Sequence, residues 1–271
     1  MKIKLIASDL DDTLLNPSLR LSQRTVRAIR AAAEMGIPTV LATNRSYQAT
    51  LPFLRELGIT GPVITYGGAQ IRDSATGKLL RELTIPAPLV KEGLCFAQSR
   101  WVYIQVHRDS DIFYPEACEW SCWYEHYIGY AGTESPSLAE HAGDATKLLM
   151  LADAARVPGL VEEARRLFRD RLWITSSKPT FIEMNHPEAT KGSALDFVAS
   201  FCGVHRENIV AFGDQPEVDG GMLGYAGLGV AMGNAGPALK EAADLVTASN
   251  AEDGVAQALE KLLRLGGPSC P

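Results

Sequence analysis

Long apolar runs, a paired set of cysteines and an excess of positive charge are all missing from this 271-residue chain. No stretch approaches the ~20 consecutive apolar residues that a membrane-crossing helix requires, so no membrane partner is expected. The formal net charge is −6, the wrong sign for a broad grip on phosphate backbones, and no nucleic-acid partner is expected either. A small anionic ligand remains compatible if positive charge is gathered locally. The five cysteines, Cys95, Cys118, Cys122, Cys202 and Cys270, are odd in number. Cys118 and Cys122 stand one helical turn apart, yet no second Cys/His pair completes a zinc set, and the five histidines have no ligand spacing. Reduced thiols in a cytoplasmic protein are the expectation. The first residues, MKIKLIASDLDD, meet Asp9 before a signal-peptide core can form, which points the same way.

What the chain does have is 46% hydrophobic and 21% charged residues, enough for two ordinary domains or one large one. KIKLIASDL is an apolar run ending in acids, as suits a strand buried on both faces. Ser22 caps a helical stretch that Gly36 ends. The runs IPTVLAT and PVITY follow with a helix between them, and this rhythm predicts a parallel sheet flanked by helices. GGAQIRDSATGKLLREL has the alternation and central turn of a hairpin. Pro86 and Pro88 mark a boundary. Residues 86–187 hold all four tryptophans and read as an α/β insert with a mostly antiparallel sheet: strands at WVYIQVH, DIFY, TKLLMLA, RLWITSS and FIEMN, and a helix at GLVEEARRLFRD. After Lys191 the first rhythm resumes. The expected architecture is a Rossmann-like parallel-sheet α/β core, residues 1–85 and 188–271, interrupted by an inserted α/β cap domain, residues 86–187.

Ligands of parallel α/β sheets bind beyond the carboxyl ends of the strands. The first strand ends in Asp9-Leu10-Asp11-Asp12-Thr13, which places Asp9 and Asp11 on one side of an extended backbone. Carboxylates this close repel, so a shared proton or a metal ion must compensate. A later strand ends in Gly213-Asp214, with Glu217 and Asp219 just after. The set is oxygen-rich and hard, suited to Mg²⁺. Lys191 opens a helix at Gly192, so a point charge and a helix N-terminus coincide there.

In order along the chain, DLDDTLL, LATNRSY, EATKGSAL and AFGDQPEVDGGML with GLGVAMGNA resemble the four motifs of the haloacid dehalogenase superfamily. The position of the insert resembles its type IIB-capped, Cof-like phosphatases. The resemblance implies that Asp9 is a nucleophile forming an aspartyl-phosphate and that Asp11 is the acid–base group, steadied by Thr13. It implies Mg²⁺ held by Asp9, the Asp11 backbone carbonyl and Asp214, with Thr43 and Lys191 on the phosphoryl oxygens and Arg45 as a further phosphate or substrate contact. The subgroup usually has Gly where Asn44 stands and Asn where Gly67 stands; the Asn44 amide is expected to bind phosphate all the same. GDQPEVD is one residue longer than the usual spacing, which would put Val218 at the second acid. Asp219, ahead of Glu217, is the expected outer metal ligand.

The function this implies is Mg²⁺-dependent hydrolysis of a small soluble phosphomonoester, such as a sugar phosphate or phosphorylated cofactor, by a monomer or weak homodimer. Alternatives are a narrow-specificity phosphatase of the mannosyl-phosphoglycerate or sucrose-phosphate type, a phosphomutase, or a catalytically weak binding module on the same fold. Trp120, Trp123, Tyr124 and Tyr127 have helical spacing, which favours a role in the insert's own core over stacking on a leaving group. His186, five residues before Lys191, is expected at a turn or near the substrate.

Overall fold

The computed structural model describes residues 2–264; Cys270 and the part of segment 188–271 beyond residue 264 lie outside the described residues. β1 (Leu5–Ser8), α1 (Gln23–Glu34), β2 (Thr39–Leu41), α2 (Tyr47–Leu57) and β3 (Pro62–Thr65) alternate as the apolar runs dictate. The Ser22 hydroxyl accepts the Thr25 N–H at 3.0 Å and starts α1.

β3 departs from the expected continuous parallel sheet. It touches β2 through one parallel bridge, Ala42 to Ile64, and otherwise pairs with β4 (Gln70–Asp73), which pairs with β5 (Leu79–Glu82) in a separate antiparallel sheet. Tyr66, Gly67 and Gly68 all have positive φ, so the chain folds straight back and the expected hairpin takes the free edge of β3.

Pro86 and Pro88 mark a boundary and also begin a helix that the sequence did not announce. α3 (Ala87–Ser99) carries proline in its first turn, where the missing N–H has no intrahelical partner to lose. Then come β6 (Tyr103–Arg108), β7 (Asp111–Tyr114), α4 (Glu119–Ile128), β8 (Thr133–Glu134), β9 (Lys147–Leu151), α5 (Val157–Phe168), β10 (Trp173–Thr175) and β11 (Phe181–Asn185). The cap sheet has the order β10-β11-β9-β6-β7-β8, antiparallel except for the β7–β8 pair. α3 and α5 bury Val90, Phe96, Leu160 and Phe168 against one face, while Tyr124 and Ile128 of α4 cover Leu149, Leu151 and Phe181 on the other.

The chain returns through α6 (Lys191–Phe201), β12 (Ile209–Gly213), α7 (Pro216–Tyr225), β13 (Leu228–Ala231), α8 (Pro237–Ala242), β14 (Leu245–Val246) and α9 (Gly254–Leu263). The core sheet is parallel, order β14-β13-β12-β1-β2. Apart from the exposed edge strand β14, its strands are buried on both faces, so alternate residues serve different helix layers. Ile6, Val210 and Phe212 pack with Val26, Ile29 and Leu259; Leu5, Ala7, Ile209 and Ala211 pack with Leu195, Val198 and Met222. Continued one step past the strand, that parity turns Asp9 toward α6 and α7. No described helix is long and apolar enough to cross a membrane.

Candidate active site

Asp9, at the end of β1, receives a hydrogen bond from Lys191 Nζ at 2.5 Å, and the same ammonium donates to Asp219 Oδ1 at 2.7 Å. Lys191 is 2% exposed and Asp219 is 0% exposed, so all three charges are out of water. Two glycines permit the arrangement. A Cβ at Gly213 would sit 2.4 Å from the Asp219 Cβ, and one at Gly192 would meet the Gly221 backbone at 2.8 Å. The first leaves room for Asp219 under the end of β12; the second lets α6 and α7 approach until Lys191 reaches Asp219. The other Asp219 oxygen accepts the N–H groups of Asp214 and Gln215, both at 3.0 Å.

Oxygens of Asp9, Asp214 and Asp219 lie within 4.8 Å of one another. Burial pushes the Asp9 carboxyl up; Lys191 opposes this, while Asp219, Asp214 and Asp11 add to it, and the net shift is upward. Asp214 is pushed up to about 7, by burial first and then by Asp219. The cluster is short of positive charge, and its donors are hard oxygens, so a divalent cation fits. Glu217 is elsewhere: it is half-exposed and paired with Arg165 of α5 at 2.8 Å.

Asp11 is held differently. Arg45 donates to both its oxygens, at 2.9 and 2.7 Å, and Tyr127 of α4 donates at 3.0 Å. Burial would raise this carboxyl, yet the bonds and charge of Arg45, with Lys178 and Tyr127, hold it below the usual value. Arg45 therefore sits on Asp11. Thr13 points to Asp214, 3.3 Å away, where the sequence had it steadying Asp11. Asp214 directly follows β12, and between Asp11 and Thr13 the chain turns at Asp12, at φ 60°. Thr43 is fully buried, and its hydroxyl accepts the Arg45 amide N–H at 3.1 Å. His186 makes a turn, its Nδ1 accepting the Glu188 N–H at 3.2 Å.

The cap supplies residues that sequence reasoning missed. Lys178 reaches Asp12 at 2.6 Å, and Gln215 donates to the Ser177 carbonyl at 2.8 Å. Lys147 and Glu183 pair at 2.8 Å and are 2% and 1% exposed. Lys147 Nζ also donates to the Asn44 carbonyl and Asn44 Nδ2 to Glu183, each at 3.0 Å. Both charges interrupt otherwise apolar strands, TKLLMLA and FIEMN; that interruption was the available signal. Asn44 fills the space that a side chain at Gly67 would need, since a Cβ there would stand 2.9 Å from Asn44 Oδ1. Core and cap residues together line a pocket of about 40 Å³, room for an ion or a few waters.

The chain is similar to known proteins over nearly its whole length. The 5-amino-6-(5-phospho-D-ribitylamino)uracil phosphatase YcsE of Bacillus subtilis is 33% identical over 257 residues, covering 95% of this chain and 94% of that one. The HMP-PP phosphatase of Serratia proteamaculans is 29% identical, covering 88% of this chain and 86% of its own. A haloacid dehalogenase-like hydrolase from Bacteroides thetaiotaomicron superposes with a TM-score of 0.87 at 28% identity, over 96% of this chain and all of that one. The family profile of the haloacid dehalogenase-like hydrolases matches residues 6–259. With the acid-ended strands, the buried lysine and the inserted cap all in place, the chain belongs to the haloacid dehalogenase-like hydrolases.

Proposed function

We propose that this chain is a Mg²⁺-dependent phosphomonoester hydrolase that acts on small phosphorylated metabolites in the cytoplasm through an aspartyl-phosphate at Asp9. The observation that carries this is the Asp9–Lys191–Asp219 cluster beside Asp214, built from the ends of β1 and β12 and the first turns of α6 and α7 and facing one pocket. Asp9, the Asp11 backbone carbonyl and Asp214 would hold Mg²⁺, with Asp219 behind them. The ion would supply positive charge against the carboxylates and the incoming phosphoryl oxygens.

The chain's own groups account for the rest. The Asp9 carboxylate attacks phosphorus, the ester P–O bond breaks, and the leaving oxygen takes a proton from Asp11. A water then attacks the acyl-phosphate, gives its proton to Asp11 and releases phosphate and Asp9. Lys191, with the Asn44 amide and Thr43, binds phosphoryl oxygens. Arg45 bonds Asp11 here; drawn toward a phosphoryl dianion, it leaves Asp11 free to carry the proton. Residues 86–187 act as a lid on the core of 1–85 and 188–271, excluding water. Its contacts on Asp11, Asp12 and Asn44 support that role. The relatives' names, a phosphoribitylamino compound among them, support a small phosphorylated metabolite as substrate.

The test is phosphate release from a panel of phosphorylated metabolites, with Mg²⁺ and with EDTA. Turnover that EDTA abolishes and Mg²⁺ restores is expected; metal-independent turnover, or none on any ester, contradicts the proposal.

A further inference from the structure

Charge is spread unevenly along this chain. Residues 109–146 hold eight acids and no lysine or arginine, while the other residues carry 24 of the 32 acids against all 26 lysines and arginines. The segment runs through β7, α4 and β8, at one edge of the cap sheet. Glu116, Glu119, Glu134 and Glu140 are exposed, and none is in an ion pair among the described residues. They border a groove of about 750 Å³ lined by Leu94, Trp101, Tyr103, Pro115 and Trp120. Glu116 is on its wall, Glu119 stands between the lining Cys118 and Trp120, Glu140 follows the lining Ala139, and Glu134 accepts the Ala117 N–H at 3.2 Å. Trp101 is 91% exposed at φ 54°, a conformation that costs a residue with a Cβ and that glycine takes freely. Packing does not account for an indole held out of contact at that cost; contact with another molecule does. Arg100, beside it, is already taken by Glu163 at 3.0 Å.

We infer that this groove is a docking site for an arginine-bearing segment of another protein. A guanidinium is planar, so it lies flat on an indole face while its N–H groups meet carboxylates two at a time. Trp101 and Trp120 supply the faces, and Glu116 and Glu119 the oxygens. A lysine ammonium makes the charge contact without the flat stack. An acidic segment is repelled by all four glutamates. The rest of the chain, with 26 bases against 24 acids, has no excess of positive charge to match this one, so the complementary surface belongs to a different protein and not to a second copy.

The experiment is fluorescence anisotropy of a fluorescein-labelled peptide of alternating Arg and Gly, titrated with the full chain, beside peptides with Lys or Glu in place of Arg. Saturable binding of the Arg peptide is expected, with a Kd below that of the Lys peptide by about threefold or more and no binding of the Glu peptide. Binding should weaken as salt is raised. Trp101→Gly, which suits the backbone at that position, and the double variant Glu116→Lys/Glu119→Lys should each raise the Kd of the Arg peptide about tenfold. Melting curves check that both variants fold. Absence of saturable binding overturns the inference, as does a Kd that neither variant changes. Equal affinity for the Arg and Lys peptides overturns it too, by reducing the site to diffuse charge. So does a dimer in sedimentation velocity that Trp101→Gly dissolves, because the occupant is then a second copy.

Discussion

Core and cap build their halves of the pocket in opposite ways. The core's contribution is local: Asp9 and Asp11 share one strand end, Asp214 follows β12, Asp219 stands in the first turn of α7, and Lys191 is the first residue of α6. The cap's contribution is scattered. Tyr127 comes from a helix, Lys147 and Glu183 from two strands, and Lys178 from the loop between β10 and β11. The core's groups are placed by short motifs at strand and helix ends, whereas the cap's depend on tertiary packing.

That contrast sets the order of expected effects. Asp9→Asn keeps the shape and removes the proposed nucleophile, so kcat should fall by ~10⁴ or more; a variant with near-wild-type turnover would break the division at its strongest point. Lys191→Met strands Asp9 and Asp219 without their shared cation. Breaking a buried pair costs about 3–5 kcal/mol, which denaturant melts would register.

The same crowding makes stability depend on pH. The Asp214 carboxyl rises from 3.8 to about 7 on folding, so between those values the folded state holds protons that the unfolded state has lost. Stability from this source is present below pH ~4 and is lost as pH rises through ~7. Metal-free protein should therefore melt at falling temperature across that window, and added Mg²⁺ should raise the melting temperature most at the alkaline end. A Mg²⁺ effect independent of pH would contradict the assignment of these carboxylates to the metal.

Cap substitutions should do less. Tyr127→Phe removes one donor to the Asp11 carboxylate, worth about 1.5–3 kcal/mol for a charged acceptor, so kcat/KM should fall roughly ten- to a hundredfold. The acid limb of the pH profile should move up, because the anion has lost a partner. Glu217→Ala breaks only the half-exposed pair with Arg165, worth under about 1 kcal/mol, and should leave the Mg²⁺ dependence intact.

Much of the core was legible because its signals are covalent neighbours. The DLDDTLL run, the Gly-Asp at the end of β12 and the Lys-Gly that opens α6 each place a functional side chain by strand or helix geometry alone. The position of β3 was not legible, since three successive positive-φ residues at 66–68 decide which edge it pairs with. Tyr127 reads as core by its helical spacing with Trp123 and Tyr124, and Tyr124 is indeed buried. Its reach to Asp11 depends on where α4 lies over α2, which no local pattern encodes. The partner of Thr13 and the double grip on Asn44 were hidden for the same reason.

Acid-quenched single turnover, followed by peptide mapping, is the most direct test of the account. A phosphoryl group should be found transiently on the peptide that carries Asp9, and it should be absent from Asp9→Asn. Stoichiometric phosphate release with no phosphoryl group ever on that peptide would contradict the covalent role given to Asp9.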